Sequence, residues 1–269
     1  MDVVARPIVQ TVLPSYIPMI GRDGKKLFQQ VDVPIVAISL NKLISPNTLE
    51  LPRDVREKFG IPRETKIILL NYAKDRLIER MWPKRREIFK RIADLQFDLV
   101  TGVDYSIWHN QEHAERLINM KRSLLTYEEF QLLGIPAIPH MYWYGHRDLE
   151  RWAEWINSNE HVSIVAINLQ TIRTKLWDQV IREIKEFTPF LHRKIQFLVT
   201  GPSTETKVTQ LSMATPFKLI NAVPAYKAVS HMRVDADGRY NYAKSSPISE
   251  IFTQNIMYQM QLLKNASTF

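Results

Sequence analysis

Short apolar runs recur along the chain and constrain its fold more than any other feature of the sequence. They are rich in Val, Ile and Leu, and each spans only seven to nine residues. Continuous apolar runs of this length are typical of parallel β-strands that are buried on both faces. The sequence therefore predicts seven such strands, at residues 33–40, 65–72, 97–103, 135–143, 162–169, 194–201 and 217–223.

The segments between these runs have a helical pattern. Their apolar residues recur every three or four positions and their charged residues fall outside that stripe. Strands that alternate with helices predict a parallel α/β fold. No G-x-G-x-x-G or P-loop pattern follows any strand, so an open doubly wound sheet with a dinucleotide or Walker-type site has no support. We therefore expect a TIM-like (β/α) barrel, complete or missing a strand, with helical patterns at residues 74–82, 84–95, 111–134, 147–159 and 176–187.

The two ends of the chain depart from this alternation. Residues 1–30 are punctuated by Pro7, Pro14 and Pro18 and are predicted to form an extended N-terminal arm, which leaves residues 31–230 for the barrel. Residues 231–269 contain a turn signal at Asp237-Gly238, followed by an amphipathic pattern. We expect a hairpin and a C-terminal helix that closes the barrel or packs on its outside. Contact with a protein partner, or with a second copy in a homodimer, is the alternative role for this helix.

The charge of the chain favours an anionic partner. The sequence has 36 Lys and Arg against 28 Asp and Glu, a formal net charge of +8, which suggests nucleic acid, a nucleotide or another anionic surface. Solvated helix faces are the simpler explanation for most of these cations. No apolar run approaches the roughly 18 residues that span a bilayer, so we expect no membrane contact and a cytoplasmic location.

The absence of cysteine excludes several kinds of chemistry. With no Cys in the sequence, the chain cannot form disulfides, use a thiol nucleophile or ligate an iron–sulfur cluster. A divalent metal would need His and carboxylate ligands. His109 and His113 have the spacing of two ligands on one helix face, but the sequence fixes no third ligand.

Polar residues at the ends of the predicted strands supply the candidate site. In a parallel barrel, the loops that leave the carboxyl ends of the strands form one face around a common pocket. Asp104 is the leading candidate, because a carboxylate just past an apolar strand is costly to bury unless it is hydrogen-bonded or used in chemistry. Capping of a loop or helix is the alternative role. The candidate catalytic residues are Asp104, Ser106 and His109.

Candidate substrate-binding residues follow the neighbouring strands. Tyrosines could stack on a base or sugar ring, amides could orient it, and cations could meet phosphate. By strand alternation, however, half of the aromatic residues should point into the core. The set comprises Asn71, Lys74, Tyr142, Tyr144, Asn168 and Arg173.

Two resemblances to known families are visible. Residues 49–69, LELPRDVREKFGIPRETKIIL, look like the AbrB-type swapped-hairpin DNA-binding motif, but the helix-like run that follows favours a crossover helix and a barrel strand. Over residues 33–203, the order of KDRLIERMW, GVDYSIW, GIPAIPHMYW and SIVAIN resembles a family of phage and mobile-element proteins, domain of unknown function number 4417. That resemblance implies a barrel-like fold and marks Asp104, Ser106 and Trp143 as family-pattern positions, but it implies no activity.

Three function classes follow from these patterns. The first is a mobile-element-type protein that binds nucleic acid or a nucleotide at the barrel mouth and hydrolyses or modifies it, with Asp104 as base or metal ligand. The second is a non-enzymatic module that binds nucleic acid or a protein through its basic surface. The third is a sugar or small-molecule enzyme, for which Asp75 or Asp148 would have to oppose Asp104 at the mouth.

Overall fold

The computed structural model describes residues 3–6, 12–21, 23–28, 33–107 and 111–266. Within these ranges the apolar runs predicted from the sequence form strands of a parallel sheet, and a separate antiparallel hairpin lies near the C-terminus. The strands are β1 (Tyr16–Ile20), β2 (Ile35–Ser39), β3 (Lys66–Leu70), β4 (Leu99–Thr101), β5 (Ala137–Ile138), β6 (His140–Met141), β7 (Ile164–Asn168), β8 (Gln196–Thr200), β9 (Phe217–Asn221), β10 (Met232–Val234) and β11 (Tyr240–Tyr242).

Helices connect successive strands of the sheet. Amphipathic patterns produce the long ones, and turn residues fix some of the ends: Gly134 adopts φ +76° just after a helix, and Asn159 caps another. The helices are α1 (Gly24–Leu27), α2 (Leu40–Leu43), α3 (Val55–Phe59), α4 (Asp75–Met81), α5 (Arg85–Asp94), α6 (His113–Leu132), α7 (His146–Ser158), α8 (Thr174–Phe187), α9 (Glu205–Ser212), α10 (Val223–Val229) and α11 (Ile248–Ala266), with 3-10 turns at Trp82–Lys84 and Thr188–Phe190.

The parallel sheet curls into a nearly closed barrel. Its strand order is β5-β4-β3-β2-β1-β9-β8-β7-β6, so the two ends of the sheet are β5 and β6, which only Pro139 separates along the chain. Ala137 pairs with Val100 of β4, whereas His140 pairs with Ala166 of β7. β5 and β6 are therefore two halves of one strand, and this split strand joins the ends of the sheet. The predicted (β/α) barrel is confirmed.

Side chains alternate between the interior of the barrel and the layer beneath the helices. Small and branched residues fill the interior, including Ile17, Ala37, Ile68 and Leu198. Their neighbours in sequence pack outward against the helices in a much larger apolar cluster. Both sets are buried, which explains why the strands appear as continuous apolar runs.

The predicted boundary between arm and barrel is wrong. Residues 16–20, which we assigned to the extended arm, form β1, a fully buried strand between β2 and β9. Pro18 concealed this strand, because a proline in an apolar run normally argues against a central strand. All seven predicted strands are present. The sequence left open whether the barrel was complete or missing a strand, and β1 is the additional strand.

The N-terminal residues are held on the far side of the barrel from β1. Trp155 Nε1 donates to the carbonyl of Val3, and the backbone N–H of Ala5 donates to Asn159 Oδ1. These two side chains belong to α7 and its C-cap. α7 follows β6, which together with β5 is most distant from β1 in the strand order. Backbone groups of residues 3–6 are therefore bound by side chains of the helical layer.

The C-terminal elements pack on the barrel, as one of the two predicted arrangements requires. β10 and β11 form the antiparallel hairpin around Asp237-Gly238, and α11 packs against α9, α10 and β10. Asn255 of α11 accepts a hydrogen bond from the N–H of Val234 and donates to the carbonyl of Met232. Among the described residues, no helix combines the length and apolar character needed to cross a membrane.

Candidate functional site

Polar groups from several strands gather at the barrel mouth around Asp104, the leading candidate from the sequence. Asp104 follows β4 and is only 8% exposed. Its backbone N–H donates to the carbonyl of Asn71 after β3, and its Oδ2 accepts a 2.8 Å hydrogen bond from Asn168 Nδ2 at the end of β7. This second bond crosses over the split strand. The carboxylate is therefore fixed by groups on both sides of the seam between β5 and β6.

A buried histidine contacts the other oxygen of this carboxylate. His140 is 1% exposed, and its Nδ1 lies 3.6 Å from Asp104 Oδ1. Its ring meets the Tyr72 ring edge to face, with centroids 5.0 Å apart. Burial lowers the pKa of His140 below its usual value, although the Asp104 carboxylate acts in the opposite direction. The imidazole is therefore neutral at neutral pH.

Two hydroxyl groups complete this cluster. The Tyr72 phenol and the Thr200 hydroxyl face each other, and both are buried. Burial, followed by the Asp104 charge, raises the pKa of Tyr72 well above its usual value. Tyr72 therefore remains a protonated phenol, able to donate and to accept a hydrogen bond. We call Tyr72, Asp104, His140, Asn168 and Thr200 the mouth cluster.

The mouth cluster has more hydrogen-bonding capacity than its own members use. Tyr72 OH, Asp104 Oδ1, both ring nitrogens of His140 and Thr200 Oγ1 are buried without a hydrogen-bond partner among the described residues. Leaving each such group unpaired costs about 1–3 kcal/mol. Proteins rarely gather unpaired buried groups in one place unless a ligand or ordered water meets them. The cluster therefore has the character of a binding site.

An open cleft begins beside this cluster. It has a volume of about 830 Å³ and lies between the loops that follow β6 and β7. Asn168, which bonds Asp104, forms part of its wall. Burial and the charges of Asp104 and Asp75 raise the pKa of Tyr142 to about 12, so its phenol is neutral. The lining also includes Ile107, Trp143, Tyr144, Thr171, Arg173, Lys175 and Glu183.

The acidic and basic side chains that line the cleft differ in whether they have partners. Glu183 accepts hydrogen bonds from Trp143 Nε1 and Gln179 Nε2, so both of its oxygens have partners. Arg173 and Lys175 lie before and within the first turn of α8. Within the described part of the chain, neither has an ion-pair partner. The cleft therefore presents two cations, Arg173 and Lys175, that are available to a ligand. Both oxygens of its acid, Glu183, already accept hydrogen bonds.

Aromatic rings line the same cleft. Tyr144 is 47% exposed, and the guanidinium of Arg116 lies over its ring at 4.5 Å from the centroid. The Tyr142 and Trp143 rings are partly buried and pack against the core. An exposed tyrosine backed by an arginine provides a flat surface for a planar group.

The structure brings together most of the predicted binding residues. Tyr142, Tyr144, Asn168 and Arg173 all line the cleft. Asn71 is fully buried below it and donates from its amide to the carbonyl of Thr101. Lys74 is exposed at the start of α4 and does not line the cleft.

Asp104 and Ser106, two of the three predicted catalytic residues, do not form one group. Asp104 lies at the centre of the mouth cluster. Ser106 donates instead to Asp75 Oδ1 at 2.7 Å, and its carbonyl accepts from Asn119. The Ser106 hydroxyl thus joins the β4 loop to the start of α4. His109 lies outside the described residues.

The selection from the sequence omitted three members of the cluster, namely Tyr72, His140 and Thr200. Strand alternation could have found them, because each lies two residues beyond an inward-facing apolar residue: Leu70, Ile138 and Leu198. The inward register of three strands thus points to the same place. A polar residue that continues an inward-facing series is the signal for this site.

The other carboxylates near the mouth have structural partners. Asp148 is 2% exposed; its Oδ2 accepts from the N–H of Tyr144, and its Oδ1 pairs with Arg151. It therefore joins the loop residue Tyr144 to the first turn of α7. In the described ranges, no three His, Asp or Glu side chains are grouped to hold a metal ion.

Comparison with known proteins adds no relative. No protein-family model matches the chain, and no curated protein matches its sequence. The resemblance to domain of unknown function 4417 stays a prediction. The interpretation of the site therefore depends on its own geometry.

The burial of His140 predicts a dependence of stability on pH. Because the folded pKa lies below the ordinary value of 6.5, the unfolded chain binds the proton more readily. The contribution of His140 should leave the free energy of unfolding at its full value above pH 6.5. Below pH 6.5 this group should lower the free energy of unfolding by at most about 1.4 kcal/mol per pH unit.

Urea unfolding at pH 7.5, 6.5 and 5.5 measures this dependence. His140→Gln should flatten the slope between pH 6.5 and 5.5. His146→Gln is the matched control, because His146 is half exposed and lies 3.6 Å from Glu150 on the surface of α7. Equal slopes in the wild type and His140→Gln would contradict a neutral buried imidazole.

Proposed function

We propose that the protein is an enzyme that binds a nucleotide, free or at the end of a nucleic acid, in the cleft at the barrel mouth and acts on it by proton transfer at the mouth cluster. The observation that carries this proposal is the continuity of the cleft with the cluster: Asn168 lines the cleft and donates to Asp104. Asn168 therefore links the aromatic wall of the cleft to the buried carboxylate, which does not itself line the cleft.

Each part of a nucleotide has a chemical counterpart in the cleft. The Tyr144 ring, with Arg116 behind it, suits stacking with a planar base. Arg173 and Lys175 suit a phosphate, since they are cationic and have no ion-pair partner in the described chain. The formal net charge of +8 favours approach of an anion. The unpaired groups of the mouth cluster suit the polar edge of the base or the sugar.

Binding can be tested with ligands that each lack one part of a nucleotide. We would measure the affinity for the four ribonucleoside monophosphates, their nucleosides and ribose 5-phosphate by isothermal titration calorimetry, and for a short single-stranded oligonucleotide across a salt series. The monophosphates should bind at least about tenfold more tightly than either fragment, because stacking and phosphate contact each contribute more than about 1.4 kcal/mol.

Two variants test the assignment of the cleft. Arg173→Ala should weaken monophosphate binding at least about tenfold and leave nucleoside binding unchanged. Lys194→Ala is the matched control, because Lys194 is exposed before the amino end of β8, at the opposite end of the barrel. Equal losses in both variants would mean that general surface charge, rather than the cleft, binds the anion, as the non-enzymatic alternative requires.

Turnover is then tested with Asp104→Asn on whichever nucleotide binds. We expect turnover to fall at least about 100-fold, since the change removes the negative charge at the centre of the cluster. Nucleotide affinity should remain within about threefold, because the phosphate and stacking contacts lie elsewhere. An unchanged rate would remove Asp104 from the chemistry.

A further inference from the structure

Asp104 and His140 are the carboxylate and the imidazole of the mouth cluster. Asp104 Oδ2 is held by Asn168 Nδ2 at 2.8 Å, which leaves Oδ1 directed toward His140 Nδ1 at 3.6 Å. The His140 ring is fixed against Tyr72, and its backbone carbonyl accepts a hydrogen bond from Ser123. Among the described residues, the ionisable groups that face the imidazole are Asp104 and Tyr72.

This arrangement selects one tautomer of the neutral imidazole. A proton on Nδ1 points toward the carboxylate, whereas a lone pair on Nδ1 would be repelled by it. The Nδ1-protonated form leaves a lone pair on Nε2. That atom is buried and has no hydrogen-bond partner among the described residues. The one strongly basic lone pair of the imidazole is therefore directed away from Asp104 and free to accept a proton.

We propose that His140 Nε2 is the atom that accepts the proton in the reaction at the mouth, and that Asp104 is a positioning residue that fixes the tautomer and the orientation of His140. This inference rests on the proposed function. It differs from the sequence prediction, in which Asp104 itself was the base or a metal ligand, because Oδ2 already accepts from Asn168 and Oδ1 lies 3.6 Å from His140 Nδ1.

The proton transfer is balanced within the cluster. An O–H or N–H bond of the nucleotide, or of a water that attacks it, breaks and leaves its electron pair on that oxygen or nitrogen. The proton forms a bond to Nε2 and converts His140 to the imidazolium form. The Asp104 carboxylate lies beside the new positive charge and stabilises it. Return of the proton to the product or to the solvent restores the neutral imidazole.

The first test measures the tautomer without any ligand. In the full-length protein with ¹⁵N-labelled histidine, the nitrogen chemical shifts of His140 distinguish protonation at Nδ1 from protonation at Nε2, and His140→Gln assigns the signals. The wild type should have the proton on Nδ1. Asp104→Asn should shift the population toward Nε2 protonation and lower the pKa of His140 further, because the anion that raises it is gone.

The nitrogen signals of His146 are the control for this test. His146, which is half exposed on α7, should give the same shifts in the wild type and in Asp104→Asn. A wild-type proton on Nε2, or an unchanged His140 tautomer in Asp104→Asn, would overturn the inference. Each outcome is read from the free protein, so it does not depend on the identity of the nucleotide.

The second test measures the chemical role. With the nucleotide that binds best, His140→Gln should lower turnover at least about 100-fold and leave nucleotide affinity within about threefold. The rising limb of kcat/KM against pH should move to lower pH in Asp104→Asn, together with the His140 pKa. If His140 had only a structural role, the pH dependence of kcat/KM would not follow the pKa of His140. Full turnover in His140→Gln would overturn the proposal.

The two proposals fail in different ways. If no nucleotide binds but the tautomer is as expected and responds to Asp104→Asn, the proposed function fails and the pairing of Asp104 with His140 is retained for another ligand. If nucleotides bind and are turned over but His140→Gln is fully active, the further inference fails and the proposed function stands.

Discussion

Replacing Gly201 by alanine is expected to lower the free energy of unfolding by about 3–5 kcal/mol. Gly201 follows β8 at the mouth and adopts φ +128°, a conformation that L side chains rarely adopt. A Cβ at this position would lie 2.6 Å from the backbone nitrogen of Gln170, in the loop after β7. Backbone cannot move aside as a flexible side chain can, so backbone strain and steric overlap add. Urea unfolding measures the difference.

Gly134→Ala is the matched control for this prediction. Gly134 also has a positive φ, +76°, but a Cβ there meets no atom within 4 Å. Only the backbone strain applies, so we expect a loss of about 1–2 kcal/mol. Similar losses in the two variants would show that the close approach of the β7 and β8 loops does not constrain the mouth.

Replacing the buried carboxylates Asp104 and Asp148 by amides is expected to lower stability in only one of the two variants. Asp104 and Asp148 are 8% and 2% exposed, but only Asp148 pairs with an arginine, Arg151 at 3.0 Å. Asp148→Asn should lower the free energy of unfolding by about 2–3 kcal/mol, because it removes a charge-assisted hydrogen bond and weakens the bond from the N–H of Tyr144.

Asp104→Asn should leave the free energy of unfolding unchanged or raise it by about 1–2 kcal/mol. The change removes a buried charge that has no cationic partner in the described structure and keeps an oxygen that can accept from Asn168. Urea unfolding of both variants at pH 7.5 gives the comparison. A loss of stability in Asp104→Asn as large as in Asp148→Asn would show that the charge at the mouth is structural.

The fold could be predicted largely because the strands are short and buried on both faces. Continuous apolar runs separated by amphipathic helices admit few parallel arrangements, and the absence of phosphate-binding glycine motifs favoured a barrel. β1 was missed because Pro18 contradicts a central strand when only the sequence is considered. Its neighbours β2 and β9, far apart in sequence, decide its place.

The site was predictable only in part. Asp104 and Asn168 were identified because each lies at the carboxyl end of a predicted strand, and that position alone brings them to the same face. Ser106 was also predicted as catalytic, but a residue two positions from Asp104 in a loop can point elsewhere, here to Asp75. The role of His140 depends on a 3.6 Å approach between residues from different strands. Spacing along the chain does not encode such a distance.

The mouth cluster connects the two sides of the barrel where the strand is split. β5 and β6 contribute only two residues each to the pairing that joins the ends of the sheet, and Pro139 between them has no N–H to donate. Asp104 and Asn168 connect the strands on either side of this seam, and His140 belongs to the seam itself. A ligand that engages all three would hold the barrel shut. Opening of the seam would in turn separate Asp104 from Asn168 and His140.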